Sequence, residues 1–526
     1  MKKISVIVFC HNVGPYIDRC MTSITTQTIG MDRLEIICVD DASSDDTWTP
    51  LQRWEQLFPE DVLLIPLETE GGQEMAENIA VQYASGDRIV FVDARDPLEA
   101  DHLEQPSKEI ITYRENGDRK ESLEGQRLRI VQFYSGTESF NFFTDRLTEE
   151  LQKRGHEVFI CDLEDTACST EHSYDHLNRF LSKKVDVVIC FDGIGTREEQ
   201  FIRQWDKHGA VVLDILMDPP FRFHPTLEKH PKAYTLFCCD EEHVDYVKKY
   251  FPKEVSTVAF MPHVGAVVKK EGPIVPYKER RYDILFSASY YHPQAQMEKV
   301  KELFPDRPDM WRFYQQMFEN LVKDSSLTIE KAVLATLQQF GLSVSLEMLK
   351  MLLNRSVYVD WAIRMYHRGR VVTALAEAGL EIYLLGPGWE DHPAAGRSNV
   401  HRLDTMVPYR QTLSFMADAK INLNVMPWFK AGTHDRIFNT LLQHSLPLTD
   451  PSAWLTKYFT DGVDIALYDL EHLEQLPGLA GQLLADPDRA ETIIQKGYEK
   501  VRQELTWSNC AEWLLSTVDQ VRGKRG

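Results

Sequence analysis

Short apolar runs alternate with helical patterns over the first hundred residues of the chain. Residues 4–9, 34–39 and 88–92 form runs rich in Val and Ile, as in parallel strands that are buried on both faces. Between the runs, Pro15 stands where a first helical turn can begin, and Asp45 can cap a second helix. This alternation predicts a βαβ sheet in a first domain of residues 1–104.

The same alternation returns after a polar segment. Residues 105–127 are charged and carry few apolar anchors, so we predict that they form a linker. Beyond them the pattern predicts a second βαβ domain over residues 128–275. Its strands are expected at 128–134, 158–161, 185–190, 211–216 and 235–239.

A third domain is predicted over residues 276–526. Residues 295–380 have helical periodicity almost throughout, which predicts a helical insertion. The strands around this insertion are expected at 282–286, 381–385, 421–425 and 445–448. The predicted fold class is α/β, with tandem Rossmann-like domains, a helical insertion and a shorter α/β domain in front. Ligands of such sheets bind beyond the carboxyl ends of the strands.

Composition narrows the class of protein. The chain has 526 residues and a net charge of −22, from 58 Lys and Arg against 80 Asp and Glu, which argues against binding to nucleic acid or anionic membranes. No stretch approaches the roughly 20 apolar residues of a membrane helix, and no signal peptide is recognisable. The nine Cys are scattered without metal-ligand spacing. We expect a reduced, cytoplasmic protein without a transmembrane segment.

Carboxylates follow two predicted strands of the first domain. Asp40 and Asp41 end the second apolar run, and Asp93 and Asp96 follow the last one. Carboxylates there can accept hydrogen bonds from a nucleobase or ribose, or hold a divalent cation against a diphosphate. Turn formation is the alternative. We favour ligand contact for Asp40 and Asp41, and helix capping for Asp45.

These strand ends resemble the family-2 glycosyltransferases of the GT-A fold. The resembling segments are ISVIVFCHN, EIICVDDASSDDT and SGDRIVFVDARD. The resemblance implies that Asp40 or Asp41 contacts uracil and ribose, and that a DxD motif carries a metal ion.

The first domain also departs from that family. Arg95 stands between Asp93 and Asp96 where the motif needs an acid, Glu77 replaces the usual Arg before Asn78, and the acceptor half of the fold is absent before the linker. We interpret the domain as a truncated, non-catalytic GT-A-like module. Its nucleotide site is vestigial and comprises Asp40, Asp41, Asp93 and Asp96. A divalent metal (Mn or Mg) is expected only if the module is active.

Candidate chemistry in the second domain also follows the strands. Ser135, Gly136 and Thr137 form a small turn whose amides can approach a phosphate or an acceptor, and an ordinary βα turn is equally compatible. The candidate catalytic groups are at later strand ends. They are Asp192, Asp218 and His263, with a hinge role open for His263.

In the third domain, a Gly-Thr turn at Gly432 and Thr433 opens a helix that carries Arg436 on its first turn. Free amides and a fixed guanidinium can bind a nucleotide diphosphate without a metal. The alternative is a capped helix with an exposed Arg. Ser289 follows the first strand of this domain. Gly388 and Trp389 follow a later one, where Trp389 can wall a pocket.

Residues 128–520 resemble the GT-B glycosyltransferases of the group-1 kind, of the CgeB-like, spore-maturation type. The resembling segments are YDILFSASYYHP, IYLLGPGW, INLNVMPWFKAGTHDRIFNTLLQHSLPLTDPSAWL and ELTWSNCAEWLL. The resemblance implies that the C-terminal Rossmann domain binds the nucleotide sugar and the preceding one the acceptor. The donor pocket would hold Gly388, Asn424, Gly432, Thr433, His434, Arg436 and Asn439. Many retaining relatives have Glu where Asn439 stands, so retention and inversion both remain open.

The sequence therefore predicts a glycosyltransferase that moves a sugar from a UDP-, GDP- or dTDP-linked donor to a hydroxyl of a protein or glycan, without a metal. A bifunctional transferase and a non-catalytic nucleotide-sugar or glycan-binding scaffold are the alternatives. For the helical insertion we favour packing on the core over acceptor docking. Its basic residues Arg364, His367, Arg368 and Arg370 are interpreted as a solvated or interdomain face.

Overall fold

The computed structural model divides the chain into two compact units, Met1–Glu124 and Gly125–Gly526. The residues it describes are 4–59, 61–67, 76, 79–80, 83–84, 86, 88–95, 98, 103, 127–163, 177–267, 274–403 and 407–523. Apart from Arg127, the predicted linker falls outside them. The domain bounds given above stay a prediction.

The first unit is built on a parallel sheet. Within its described residues the sheet has four strands in the order β3-β2-β1-β4, all of them parallel. The strand β3 was not predicted. The apolar faces of the sheet pack against two helices through Ile17, Met21 and Leu51. The elements are β1 (Ile4–Cys10), α1 (Gly14–Thr25), β2 (Leu34–Asp40), α2 (Trp48–Leu57), β3 (Val62–Pro66) and β4 (Arg88–Asp93).

The first sheet of the second unit is doubly wound. Its six strands, counted over the described residues, run in the order β10-β9-β8-β7-β5-β6 and pair in parallel. The order reverses between β5 and β7, so a crevice is expected beyond their carboxyl ends. The elements are β5 (Arg129–Tyr134), α3 (Glu138–Lys153), β6 (Glu157–Asp162), β7 (Val187–Phe191), α4 (Glu199–His208), β8 (Val211–Leu216), α5 (His224–Glu228), β9 (Tyr234–Cys238), α6 (Glu241–Tyr250) and β10 (Val258–Phe260).

The second sheet of this unit has the strand order of a Rossmann fold. Over the part of the chain that is described, its six parallel strands run β13-β12-β11-β14-β15-β16, with the reversal between β11 and β14. The tandem α/β architecture predicted from the sequence is confirmed. The elements are β11 (Tyr282–Ser287), β12 (Ile382–Leu385), β13 (Val400–Arg402), α12 (Tyr409–Ala417), β14 (Ala419–Asn424), α13 (Asp435–Leu442), β15 (Leu446–Thr449), α14 (Ala453–Tyr458) and β16 (Ala466–Leu467).

A helical insertion lies between β11 and β12, close to the predicted bounds. Its side chains Phe313, Tyr314 and Met317 share one hydrophobic core with Val247 and Phe251 of the first sheet's layer. The insertion thus leaves one Rossmann domain and packs on the other. Its helices are α7 (Pro293–Leu303), α8 (Pro308–Lys323), α9 (Ile329–Gln339), α10 (Leu346–Asn354) and α11 (Val357–Glu377).

Of the three C-terminal helices, the first two pack on the second Rossmann sheet and the last returns to the first. They are α15 (Leu476–Ala485), α16 (Pro487–Glu504) and α17 (Trp507–Gly523), and the last of them packs against α3. The guanidinium of Arg522 donates to Asp186 at 2.7 Å. Among the described helices none is long and apolar enough to cross a membrane. Every described cysteine is buried and free.

The segment that joins the two Rossmann domains packs tightly on α13. Gly265 donates its amide to the carbonyl of Leu505 at 3.0 Å. A Cβ atom at Gly265 would lie 2.8 Å from the backbone carbon of Phe438 and 2.9 Å from the nitrogen of Asn439. Neither is the movable end of a side chain, so only glycine fits between linker and helix.

We predict that Gly265→Ala destabilises the protein by about 1–3 kcal/mol, because the added methyl group overpacks a backbone contact. Gly481→Ala is the matched control, since a Cβ there meets no atom within 4 Å. Within helix α15 it should be neutral or stabilise by up to about 1 kcal/mol. Urea unfolding of the two variants measures both changes, and equal midpoints would contradict the prediction.

Candidate active site

Loops at the carboxyl ends of the two Rossmann sheets meet in a cleft. Asp240, which follows β9, forms an isolated antiparallel bridge with Gly432, which follows β14. Asp218, beyond β8, accepts from Arg364 of the insertion helix α11 at 3.1 Å. The cleft is therefore built from both Rossmann domains and the insertion.

The Gly432–Thr433 turn serves the domain contact. The amide of Thr433 donates to the carbonyl of Cys239 at 3.2 Å, and that of Ala431 donates to Asp240 Oδ2 at 2.9 Å. A Cβ atom at Gly432 would lie 2.3 Å from the Cys239 carbonyl oxygen. The glycine thus permits close packing between domains. The expectation of a free Thr433 amide for a diphosphate is wrong, because a carbonyl across the interface already accepts from it.

His434 and Asp435 start helix α13. His434 Nδ1 lies 2.7 Å from Asp435 Oδ1 and 3.3 Å from the amide of Arg436, so the imidazole caps the helix. Burial would raise the pKa of Asp435, but the contacts with His434 and Tyr409 hold it well below its ordinary value. Burial lowers the pKa of His434.

Asn439 is committed to the interior. It is 1% exposed; its Oδ1 accepts from the amide of Ala266 at 2.8 Å, and its Nδ2 donates to the Tyr409 hydroxyl at 2.9 Å. The side chain anchors the interdomain segment to α13. No polar atom of this side chain remains free for the predicted contact with a donor sugar.

His263 is also an interdomain residue. Its amide donates to Thr433 Oγ1 at 3.0 Å, and its ring stacks on that of His434 with a centroid distance of 6.0 Å. Burial lowers the pKa of His263 to about 4, so the ring is neutral at pH 7. These contacts favour the hinge role over the catalytic one.

Arg436 faces the cleft from the first turn of α13. It is half-buried, and its guanidinium donates to Asn424 Oδ1, while Asn424 Nδ2 donates to Thr449 Oγ1 at 2.9 Å. Asn424 therefore fixes the orientation of the guanidinium. Burial lowers the pKa of Arg436, and within the described residues it forms no ion pair with a carboxylate.

Two further arginines enter the cleft from α11. Arg368 is 6% exposed and donates to the Ser289 carbonyl at 2.7 Å, while its buried Nε has no partner. Burial, together with the charges of Arg436 and Arg364, lowers the pKa of Arg368 to about 9. The guanidinium of Arg364 lies 4.0 Å from the Trp428 ring centroid.

Of the two interpretations of these basic residues of α11, the structure supports the interdomain face. Arg364, His367 and Arg368 are 4%, 1% and 6% exposed. Residues at i, i+3, i+4, i+7 and i+8 of a helix share one face, and here that face is turned to the interdomain cleft. Arg370 is half-buried and donates to the Leu470 carbonyl at 3.3 Å.

Asp192 and Asp218 form a pair of carboxyl groups in contrasting surroundings. Burial alone would raise the pKa of Asp218, but Arg222 and Arg364 hold it at about 2. Burial and the nearby charge of Asp218 raise the pKa of Asp192 well above its ordinary value. Asp192 also has a positive φ of 50°, uncommon outside glycine. The pKa values of the two carboxyl groups are thus shifted in opposite directions.

Gly388 and Trp389 shape the loop after β11. A Cβ atom at Gly388 would lie 1.8 Å from the carbonyl oxygen of Tyr290. Trp389 is 1% exposed, donates to the carbonyl of Ala288 at 2.6 Å and stacks on Tyr290. The interpretation of Trp389 as a pocket wall is wrong, because the ring is core. Both residues fix the loop that offers the Ser289 carbonyl to Arg368.

The turn at Ser135–Thr137 is an exposed helix start. The amide of Ser135 donates to Asn141 Oδ1 at 2.8 Å, and that of Thr137 donates to Ser135 Oγ at 3.2 Å. The turn satisfies two of its own amides. Of the two interpretations, the ordinary βα turn has the support of these contacts.

The first unit carries its own strand-end cluster. Asp40 and Asp41 are 7% and 1% exposed, and Asp40 Oδ1 is buried without a partner. Asp45 accepts from the amides of Thr47 and Gly14 at 3.0 and 3.2 Å. The prediction that it caps the second helix is wrong, because Thr47 is the N-cap residue of α2. Arg95 donates to the carbonyl of His11 at 3.5 Å. The side chain of Asp93 and all of Asp96 fall outside the described residues.

Two segments of the chain match known protein families. Residues 5–115 match the family described as "Glycosyl transferase family 2", and residues 368–516 match the one described as "Glycosyl transferase-like". Both segments are thus of glycosyltransferase type. Among the described residues, no group of three or more His, Cys, Asp or Glu is arranged to hold a metal ion.

Curated relatives resemble only a short part of the chain. The poly(ribitol-phosphate) beta-glucosyltransferase of Bacillus spizizenii is 32% identical over 101 residues, which is 19% of this chain and 16% of that protein. The glycosyltransferase GlyA of Streptococcus pneumoniae is 30% identical over 142 residues, 27% of this chain and 18% of that protein. The chain thus spans less than a fifth of these relatives.

Two solved structures align with a smaller and a larger share of the chain. TarS of S. aureus in complex with UDP-GlcNAc is 30% identical, with a TM-score of 0.18, over 19% of this chain and 29% of that one. Sucrose-phosphate synthase from Thermosynechococcus elongatus is 11% identical, with a TM-score of 0.42, over 76% of this chain and 100% of that one.

The buried imidazole of His263 predicts a pH dependence. Its pKa in the folded state is lowered to about 4, so stability is complete above the unfolded value of about 6.5 and falls as the pH drops towards 4. At pH 5 the loss from this group amounts to about 2 kcal/mol. Between pH 7.5 and pH 5, the variant His263→Gln should therefore lose about 2 kcal/mol less stability than the wild type, as measured by urea unfolding. Parallel pH profiles would contradict the assignment.

Proposed function

We propose that this chain is a glycosyltransferase whose second unit transfers a sugar from a nucleotide-sugar donor to an acceptor hydroxyl. The two family matches and the tandem Rossmann sheets support this activity. Assignment to the CgeB-like group, a UDP-, GDP- or dTDP-linked donor and a protein or glycan acceptor are part of the proposal. TarS and a mannosyltransferase are described as complexes with UDP-GlcNAc and with GDP-Man and Mn²⁺.

One observation carries the proposal: the charges of Arg368 and Arg436 lie close together, and among the described residues neither guanidinium forms an ion pair with a carboxylate. Burial and the charge of Arg436 lower the pKa of Arg368, whereas burial lowers the pKa of Arg436 against the opposing effect of Asp435. Burying like charges that are not ion-paired is costly, so the arrangement favours a bound anion. Two guanidinium groups suit the oxygens of a diphosphate.

The same two arginines support metal independence. Negative charge develops on the diphosphate as the bond to the sugar breaks, and fixed cations there stabilise the transition state. Arg436 is oriented by Asn424, and Arg368 by the Ser289 carbonyl. Of the predicted donor-pocket residues, we retain Ser289, Asn424, His434 and Arg436 in direct or orienting roles.

Proton transfer is assigned to the carboxyl pair. We assign the ionised form of Asp192 as the base that accepts the proton of the acceptor hydroxyl while the diphosphate leaves, because its raised pKa makes it a stronger base than an ordinary carboxylate. Asp218 accepts from Arg222 and Arg364, so we assign it a positioning role. His263 is assigned to the domain hinge.

A nucleotide-binding role for the first unit, without the turnover of a bifunctional transferase, is the second candidate, and Asp40 is the observation in its favour. Its buried, unpartnered Oδ1 could accept from a nucleobase in the first unit. Arg95 at the metal motif argues for a binding role there without turnover. In this version the first unit binds a nucleotide and the second performs the transfer.

Nucleotide binding tests the diphosphate site. We predict that UDP, GDP, CDP or dTDP raises the melting temperature of the wild type with or without EDTA, since a ligand of the folded state stabilises it. Arg436→Ala and Arg368→Ala should each abolish the shift. The control Arg203→Ala should keep it, because Arg203 is exposed and pairs only with Glu199 at the surface. A melting shift that requires Mn²⁺ and persists in both Arg436→Ala and Arg368→Ala would show that the diphosphate binds elsewhere.

Turnover tests the carboxyl pair. In Asp192→Asn we expect the nucleotide-induced melting shift to persist while release of nucleoside diphosphate from the sugar donor falls by about 10²–10⁴, the usual size of an acid–base contribution. Coupled detection of the released diphosphate gives the rate. Unchanged release in Asp192→Asn would remove this residue from the mechanism.

A further inference from the structure

A cavity of about 370 Å³ lies between the helical insertion and the first Rossmann domain. It is lined by α11, by α9 and by α6, and it reaches Trp428 in the cleft. About half of the side chains in its wall are apolar, among them Phe221, Tyr246, Leu321, Leu327, Ile363 and Trp428, and the others are polar or charged. Ligand sites in proteins have this character, with a few polar groups that fix the ligand.

Four polar atoms of the lining lack partners, although Asp360 pairs through its other oxygen with Arg222 and Arg364, and Glu242 with Lys331. Both ring nitrogens of His367, Oδ1 of Asp360 and Oε2 of Glu242 are buried, and none of them has a hydrogen bond within the described structure. His367 and Asp360 are each 1% exposed. An unsatisfied buried polar atom costs about 1–3 kcal/mol, so several of them around one cavity indicate a ligand.

The unpartnered atoms restrict what that ligand is. Carboxylate oxygens only accept hydrogen bonds, whereas a neutral imidazole both donates and accepts. An anion would face two acceptors, and a simple ammonium could not accept from the imidazole. Hydroxyl groups donate and accept, so a neutral molecule with several hydroxyls satisfies all of them.

Most charges of the lining are already matched. Lys249 pairs with Glu330 at 2.5 Å, and Lys331 pairs with Glu242 at 2.8 Å. Lys430 donates to the Ser325 carbonyl, and burial lowers its pKa to about 8. A neutral ligand with apolar faces therefore suits both the ionic pairs and the aromatic wall.

The cavity adjoins the cleft through two shared elements. Trp428 lines the cavity and also lies under the guanidinium groups of Arg364 and Arg368. On α11, Asp360 and His367 of the cavity share a helical face with these arginines. A molecule in the cavity would thus lie beside the proposed diphosphate site.

We propose that this cavity binds the acceptor as a neutral sugar or polyol unit, held through hydroxyls by His367, Asp360 and Glu242. This assignment rests on the proposed function of the cleft and gives its acceptor class. It assigns the helical insertion an acceptor-binding role in addition to packing. Trp428 borders both the cavity and the guanidinium groups of Arg364 and Arg368.

Saturation-transfer NMR on the full chain tests the proposal. The probes are methyl β-glucoside, methyl N-acetyl-β-glucosaminide and ribitol, with inorganic phosphate, propylamine and a Ser/Thr-containing peptide for comparison. Leu334→Trp narrows the cavity at a residue that is 38% exposed, and His367→Phe removes both ring nitrogens. The matched control is Leu346→Trp, at a 57% exposed residue of α10 outside the lining.

We expect at least one hydroxyl probe to bind the wild type and Leu346→Trp. Its signal should fall at least fivefold in Leu334→Trp and in His367→Phe. Both variants should keep the nucleotide-induced melting shift. Absence of binding by all three hydroxyl probes, signals unchanged in both variants, or binding of phosphate, amine or peptide in their place would overturn the acceptor assignment. Because the melting shift is measured separately, failure here is distinguishable from failure of the diphosphate site.

Discussion

The central feature of the second unit is a pair of arginines in an interdomain cleft, neither of which forms an ion pair with a carboxylate within the described part of the chain. Arg368 comes from the helical insertion and Arg436 from the first turn of α13, and each is oriented by neutral oxygen atoms. Buried charge of one sign is unfavourable in the absence of a counter-ion. The surrounding structure, including the Ser289 loop and Asn424, therefore maintains an anion-binding arrangement at a cost in stability.

Close backbone packing keeps the two Rossmann domains in register around this cleft. Gly432 packs on Cys239, and Gly265 packs on α13. Asn439, Thr433 and His263 then supply hydrogen bonds between the domains. Asn439 and Thr433, which the sequence predicts in a donor pocket, thus lie beneath the surface of the cleft and join the two domains. The groups that we propose to act at the surface of the cleft are Arg364, Arg368 and the Asp192–Asp218 pair.

The sequence predicted the fold well because buried parallel strands are continuous apolar runs, such as 187–191 and 282–287. It missed the short strands β10, β13 and β16, which have at most three residues, and the five-residue edge strand β3. Site prediction was less complete. Strand-end position singled out Asp192 and Asp218, but Arg368 and His367 lie in a helix far along the chain, and only tertiary packing brings them to the cleft.

The most direct test of this account is a structure of the full chain with bound nucleoside diphosphate. We expect the diphosphate to lie between the guanidinium groups of Arg368 and Arg436, within hydrogen-bond distance of both, and next to Trp428. A diphosphate bound at Asp40 in the first unit, with the two arginines unoccupied at saturating ligand, would contradict it.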